Sequence, residues 1–391
     1  MQLAPREKCA VFGAIGSDFD AARITFFGLY ALQHRGQEGS GIVSSEGEHL
    51  HAYRASGLVN QIYTEPVMKK LPGTLAIGHN RYSTSKGGDT EHRQPVIGQD
   101  KLVAVAHNGN LPSTKALEVF LKKHGVSARN MSDSELMAAA IRYYMVQGKS
   151  VSMAVKLAEP DQKLDVFEFV YFARPDSYLL GKSVDAVRQS MGKQLAAETS
   201  IQADIVVPVP DSGIPAAQGF SEATGIPLSL SLIKNRYIGR TFIQPEQHLR
   251  EWMVRMKLNP IRSAIAGKRV VIVDDSIVRG TTSPQVIQML RDAGATEIHF
   301  LVSSPPYRYP DFYGIDTPAQ EQLIAFAKPL EEIHQFLGVD SLHYLSYEGL
   351  IAATGLPESQ LCTSCFTGEY PVSIEERMLE IRCTPRERKQ L

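Results

Sequence analysis

An apolar run, Val270-Val271-Ile272-Val273, leads directly into Asp274-Asp275-Ser276-Ile277-Val278-Arg279-Gly280-Thr281-Thr282, and a helical pattern follows. A helix N-terminus offers unpaired backbone N–H groups and the positive end of a dipole. Gly280, Thr281 and Thr282 therefore suit a phosphate, Gly280 allowing close backbone approach. Asp274 and Asp275 cannot bind that phosphate, but they can accept hydrogen bonds from ribose hydroxyls or face a metal. These residues imply a site for a phosphorylated sugar. The plainer alternative is a tight turn with an acidic cap, for which two adjacent carboxylates are a costly device. Pro210-Asp211-Ser212-Gly213 also closes an apolar strand and opens a helix, although alone it is ordinary turn chemistry. Between the loops, the segment Lys234 to Arg240, with Gly239 inside it, precedes Arg250, Arg255 and Lys257. These cations read either as a solvated basic face or as a lid for a diphosphate leaving group.

Other clusters carry different chemistry. A lone cysteine such as Cys9 is ordinarily a small buried hydrophobe. With residues 1–8 removed, it gains a free α-amine beside its thiol. The reference pKa of such an amine, about 7.7 to 8, suits a general base at neutral pH. Cys362-x-x-Cys365 reads as metal-binding or redox-related in a reducing compartment, or as two buried thiols at a helix-end turn. Cys383 lies in a charged tail.

A chain of 391 residues predicts two or three domains at roughly 100 to 200 residues each. With 43% hydrophobic and 21% charged residues, its composition is that of an ordinary soluble protein, and no apolar stretch is long enough for a bilayer. Lys+Arg 41 against Asp+Glu 42 leaves a net charge of -1, hence no overall basic field for nucleic acid or an anionic membrane. The first eight residues mix charges with a proline and form no secretory signal, so a cytoplasmic protein is expected.

Early strands are expected at Cys9 to Gly13, Gly41 to Ser44, Leu75 to His79 and Leu102 to Ala106. Helices are expected after Asp20 as far as Arg35-Gly36, from Pro112 to His124, and from Asp133 to Met145 behind the capping box Ser132-Asp-Ser-Glu135. Gln147 to Lys163 reads as a connection and Val166 to Phe172 as a strand. Beyond it, strands Asp204 to Pro208, Arg269 to Val273 and Ile298 to Ser303 alternate with helices after Ser212 and from Thr281 to Ala293. That alternation predicts a parallel sheet with helices on both faces.

The acidic pair with Gly-Thr-Thr resembles the phosphoribosylpyrophosphate (PRPP) motif of type I phosphoribosyltransferases. Cys9-Ala-Val-Phe-Gly, Gln33-His-Arg-Gly-Gln37, Gly78-His-Asn-Arg-Tyr-Ser-Thr84 and His107-Asn-Gly-Asn110 occur in the order found in class II glutamine amidotransferases, which are N-terminal-nucleophile hydrolases. Together they resemble the amidophosphoribosyltransferase family over nearly the whole chain. The resemblance implies an α/β and α+β protein: an αββα-type glutaminase domain, shortened here, followed by a type I phosphoribosyltransferase domain with a parallel sheet. Residues 1–8 would be a propeptide, 9–163 the incomplete glutaminase domain, 164–372 the phosphoribosyltransferase domain and 373–391 a tail.

By that resemblance Cys9 is the nucleophile, Asn108 and the Gly109 N–H stabilise the oxyanion, Arg81 grips the α-carboxylate of L-glutamine, and Asp133 its α-ammonium. Asp133 also reads as a favourable acid in a first helical turn. Asp274 and Asp275 contact the ribose of PRPP, and Ser276, Arg279, Gly280, Thr281 and Thr282 its 5-phosphate. Asp211, Ser212, Gly213 and Lys257 attend the pyrophosphate, and Mg2+ sits by Ser212, Asp274 and Asp275. The implied reaction is the first committed step of purine synthesis, with purine nucleotides as inhibitors and a homo-oligomer as the assembly. No nucleic-acid or membrane partner is implied. Alternatives are an ammonia-dependent enzyme with a disabled glutaminase, and a non-catalytic PRPP sensor. In the family's iron-sulfur branch the partners of Cys362 and Cys365 fall at Asp165 and Asp311. This leaves a [4Fe-4S] cluster with two carboxylates in place of thiolates, a mixed Cys and Asp zinc site, or no metal.

Overall fold

The computed structural model describes residues 9–81, 94–98, 100–109, 111, 113–129, 131–158, 163–235, 258–313, 319–375 and 378. They fall into two compact units, one within 6–162, 311–317 and 372–391, the other within 163–310 and 318–371.

The first unit carries one antiparallel sheet of β1 (Ala10–Ile15), β2 (Gly39–Glu46), β3 (His49–Ser56) and β4 (Leu75–Arg81), in the order β1-β4-β2-β3. The side-chain alternation of β1 writes its two faces. Phe12 and Ala14 join a core of Ala22, Leu29, Ile42, Val59, Leu71 and Ala76 beneath helix Ala21–Ala31. Gly78 lets that helix approach, since a Cβ there would meet Leu29 at 2.6 Å. The alternate residues Val11 and Ile15 emerge on the other side, 39% and 76% exposed. The other β pairing of this unit among the described residues is β5 (Val96–Ile97) with β6 (Ala104–Val105), all that remains of the strand expected at Leu102 to Ala106.

Helix Lys115–Lys123 packs on helix Asp133–Val146 around Leu121, Leu136 and Ala140. The expected capping box is formed, with the Ser132 N–H donating to Glu135 Oε2 at 2.7 Å. The expected connection from Gln147 to Lys163 instead contains helix Val151–Ala158. Val151, Met153 and Val155 are exposed and only Ala154 is buried among the residues around them, so no inward apolar stripe advertised it.

The second unit begins with β7 (Leu164–Asp165), β8 (Tyr178–Leu179) and β9 (Lys182–Ser183). Its centre is a parallel sheet of β10 (Ile205–Pro208), β13 (Arg269–Asp274), β14 (Glu297–Val302) and β15 (Ser341–Tyr344), in that order. β11 (Leu232–Lys234) pairs with β12 (Leu258–Pro260), and β16 (Leu361–Cys362) with β7. Val206, Val207, Val270 to Val273 and Phe300 to Val302 are at most 1% exposed, the uniform burial of strands covered on both faces. Helices Val184–Glu198 and Ile214–Thr224 pack closely because Gly192 and Gly219 leave no Cβ against the facing carbonyls of Ala216 and Gln189.

Val166 to Phe172 is not a strand. Residues Glu168–Phe172 form a π-helical turn, with the Phe167 N–H held by Asp165 Oδ1 at 2.9 Å. A short apolar run buried on all sides reads alike as strand or helix, and here long-range hydrogen bonds decide. Among the described residues no helix is long and apolar enough to cross a membrane.

Candidate active sites

Parallel pairing sets Pro208 of β10 beside Val273 of β13, so the loops leaving both carboxyl ends start together. The Val209 N–H donates to Val273 O at 2.8 Å and the Gly213 N–H to Val209 O at 3.0 Å. A Cβ on Gly213 would meet Val273 O at 2.5 Å, which is why this turn needs glycine. Asp211 is exposed and pairs with Lys234 Nζ at 2.7 Å.

The Ser212 side chain hydrogen-bonds to Asp275. Ser276 Oγ donates to Asp275 Oδ1 at 2.6 Å, and the Asp275 N–H to Asp274 Oδ1 at 2.9 Å. Burial pushes the Asp274 carboxyl well above its ordinary range, and the charge of Asp275 adds to this. Asp275, 6% exposed, is also raised by burial, against the opposing hydrogen bonds of Ser212 and Ser276 and the charge of Arg188. Gly280 has φ +67°, and a Cβ there would meet Ile324 at 2.6 Å. Helix Ser283–Asp292 then starts behind Thr282, with Thr281 exposed and Arg279 half-buried. The structure thus brings together Ser212, Gly213, Asp274, Asp275 and Ser276. Lys257 and the Arg236 to Arg255 segment lie outside the described residues.

Sequence reasoning missed Arg188. It is 2% exposed, and its guanidinium donates to Phe169 O at 2.6 Å and Ala173 O at 2.8 Å. The available signal was its place on the inner stripe of its helix with Val184, Val187, Met191 and Leu195.

In the first unit Cys9 is half-buried at φ +52°, immediately before β1, and its carbonyl accepts from Arg35 Nε at 3.3 Å. The antiparallel register pairing Ala10 with Asn80 sets Cys9 beside Arg81, the next position on β4. Asn108 is exposed. Gly109 has φ +155°, and a Cβ on it would meet Tyr313 O at 2.8 Å.

Asp133 opens its helix. Oδ1 accepts the Ser134 N–H at 2.7 Å and Oδ2 the Leu111 N–H at 3.4 Å. Burial raises its carboxyl, but the His107 hydrogen bond, the His107 charge and these N–H groups outweigh it and hold the pKa below the ordinary value. His79, on β4 between Asn80 and Gly78, is 2% exposed. Burial above all, with the charges of His107 and Arg81, pushes its imidazole down to about 3, so it stays neutral.

The metal reading of Cys362, Cys365, Asp165 and Asp311 does not fit. Both thiols are buried, Cys362 on β16 and Cys365 in the short helix Ser364–Thr367 rather than at a helix-end turn. Register places Cys362 beside Asp165, and one oxygen of each carboxylate caps a turn, Asp165 Oδ1 accepting from the Phe167 N–H and Asp311 Oδ1 from the Tyr313 N–H at 2.8 Å. Cys362 Sγ lies 3.3 Å from Ser364 Oγ. Among the described residues no three of His, Cys, Asp and Glu stand where they could jointly hold a metal ion. The carboxylates cap turns.

The phosphoribosyl transferase domain pattern matches residues 180–310. The amidophosphoribosyltransferase of Synechocystis sp. is 41% identical over 457 residues, covering 95% of this chain and 92% of the relative. That of Bacillus subtilis is 40% identical over 452 residues, covering 94% and 95%. Both alignments run longer than the 391-residue chain, so stretches of each relative stand opposite gaps here. A solved structure described as glutamine PRPP amidotransferase from B. subtilis complexed with ADP and GMP is 38% identical, with a TM-score of 0.80, covering 93% of this chain and 97% of its own. With identity of this level along nearly its whole length, the chain belongs to the amidophosphoribosyltransferase family and is a pentosyltransferase.

Proposed function

We propose that the chain makes 5-phosphoribosylamine from PRPP and glutamine-derived ammonia, the reaction of EC 2.4.2.14 and the first committed step of purine synthesis. Residues 9–163 carry the glutamine chemistry and 164–372 the PRPP chemistry. The observation that carries this reading is the pair of half-buried Asp274 and buried Asp275 at the carboxyl end of β13, joined through Ser212 to the neighbouring glycine turn.

In the second unit the acidic pair holds the ribose hydroxyls, and the loop of Ser276 to Thr282, with Arg279, surrounds the 5-phosphate. The turn of Asp211 to Gly213 takes the pyrophosphate, Lys234 and Lys257 lending positive charge. Two adjacent acids, both raised by burial and Asp274 also by the charge of Asp275, with hydroxyl oxygen beside them, fit Mg2+, which binds through one or two carboxylates plus substrate phosphates. Bound there, Mg2+ would shield the charge of the departing pyrophosphate.

In the first unit, removal of residues 1–8 frees the α-amine of Cys9 as the base for its own thiol. Thiolate attack on the glutamine amide forms the acyl-enzyme and releases ammonia. Asn108 and the Gly109 N–H stabilise the oxyanion, Arg81 orients the α-carboxylate and Asp133 the α-ammonium. Ammonia then displaces pyrophosphate at carbon 1. Purine nucleotides as inhibitors, a homo-oligomer and a cytoplasmic location complete the proposal. The ADP and GMP held by the B. subtilis relative support the first of these.

The test is PRPP-dependent pyrophosphate release with glutamine or ammonium as donor, alongside intact mass for cleavage before Cys9. Activity with both donors is expected. Ammonia-only activity would establish the disabled-glutaminase alternative, which the exposure of Val11 and Ile15 favours. Release with neither would leave a PRPP sensor.

A further inference from the structure

We propose that His107 is a positioning residue for the glutamine half-reaction: together with Asp133 it holds the Asn108–Gly109 turn in the shape an oxyanion requires, and ties that shape to the group that grips the substrate's α-ammonium. The inference rests on the glutaminase reading above.

His107 Nε2 lies 2.7 Å from Ser134 Oγ and 3.6 Å from Asp133 Oδ1. Ser134 Oγ in turn donates to Asp133 Oδ1 at 3.3 Å. With the imidazole proton assigned to Nε2, the chain runs from His107 N–H to the Ser134 hydroxyl to the Asp133 carboxylate. The Leu111 N–H also donates to the same side chain, at Asp133 Oδ2, 3.4 Å away. Residues 107 and 111 are therefore both fastened to one carboxylate at the start of helix Asp133–Val146. The His107 main-chain N–H is fixed as well, donating to Gln94 Oε1 at 2.6 Å.

Between these anchors, Gly109 at φ +155° passes Tyr313 O where a Cβ would meet it at 2.8 Å. With His107 anchored through side chain and main chain, and no side chain on Gly109, the Gly109 N–H is held in a set direction, and a preorganised donor is what a developing oxyanion rewards. Oδ1 of Asp133 is occupied by both donors of Ser134, while Oδ2 receives one long bond. Oδ2 keeps acceptor capacity for an ammonium. One carboxylate thus serves recognition and rate together. An amide lacking the α-amino group should lose kcat as well as affinity.

The experiment measures glutamine kcat and KM at saturating PRPP for wild type, His107→Ala and His107→Gln, with the ammonia-dependent rate of each preparation as the index of folding. His107→Ala should lower glutamine kcat roughly 10- to 100-fold, the cost of a slightly misplaced catalytic group, with KM little changed and the ammonia rate retained. His107→Gln, whose side-chain amide can donate to Ser134, should recover most of the loss. Wild-type kcat in His107→Ala, a change confined to KM, or an equal loss in the Gln variant would overturn the clamp while leaving the glutaminase reading in place. Wild type that uses ammonia but no glutamine would overturn both.

Discussion

Asp275 and Cys9 stand on different kinds of ground. The acidic pair leaves a strand whose residues Val270 to Val273 are fully buried between layers of helix, whereas Cys9 opens an edge strand that shows Ile15 at 76% exposure. A site on a parallel sheet covered on both faces draws its rigidity from the core. A site at the start of an edge strand with exposed alternate side chains depends on local fastenings, here Arg35 to the Cys9 carbonyl, Ser134 to His107 and Asp133 to the Leu111 N–H. The first arrangement tolerates neighbouring changes; the second concentrates its geometry in a few hydrogen bonds.

The largest effect expected is on the exposed side. Cys9→Ala should reduce glutamine-dependent turnover on the order of 10^4-fold or more, as loss of a nucleophile does, while the ammonia rate stays. Parallel loss of both rates would mean that the two units do not act separably. Asp275→Ala should lower PRPP turnover with either donor by roughly 10^2- to 10^3-fold, and steady-state rates with both donors would show it. A loss with glutamine alone would contradict the assignment.

Acid should separate the units. His79 has a folded pKa of about 3 against an ordinary 6.5. Between these values the unfolded chain binds a proton that the folded chain does not, so stability falls as pH drops through this window, by roughly 3 kcal/mol at pH 4. Hydrogen exchange at pH 4 should report opening of the first unit before the second, and His79→Gln should flatten that pH dependence.

The smallest expected effect is in the covered unit. Gly213→Ala forces a Cβ toward Val273 O and should cost about 1 to 3 kcal/mol of that unit's stability, read by denaturant titration. Ala at Gly213 without cost would show that even this turn yields.

Legibility followed the reach of each interaction. The run from Val270 to Thr282 was readable because strand, acidic turn and helix start are contiguous, and each is specified by its own few residues. The capping box of Ser132 and Glu135 was readable for the same reason. Val166 to Phe172 was misread because Arg188, on another element, takes its carbonyls and bends an apolar run into a helical turn. Helix Val151–Ala158 was not legible because Val151, Met153 and Val155 are exposed and form no inward apolar stripe. The thiol and carboxylate set at Cys362, Cys365, Asp165 and Asp311 had metal-ligand chemistry by type, but among the described residues no three such groups stand where they could jointly hold a metal ion.

The order of motifs along the chain already implied a nucleophile, an anion-binding helix start and an acidic pair, because residue type and local backbone preference set these within a few positions. Folding decided which groups would be neutral, which clamped and which uncovered. The raised carboxyls of Asp274 and Asp275, the depressed imidazole of His79 and the link from His107 to Asp133 depend on desolvation and on partners distant in sequence, and those exist only once the layers have packed.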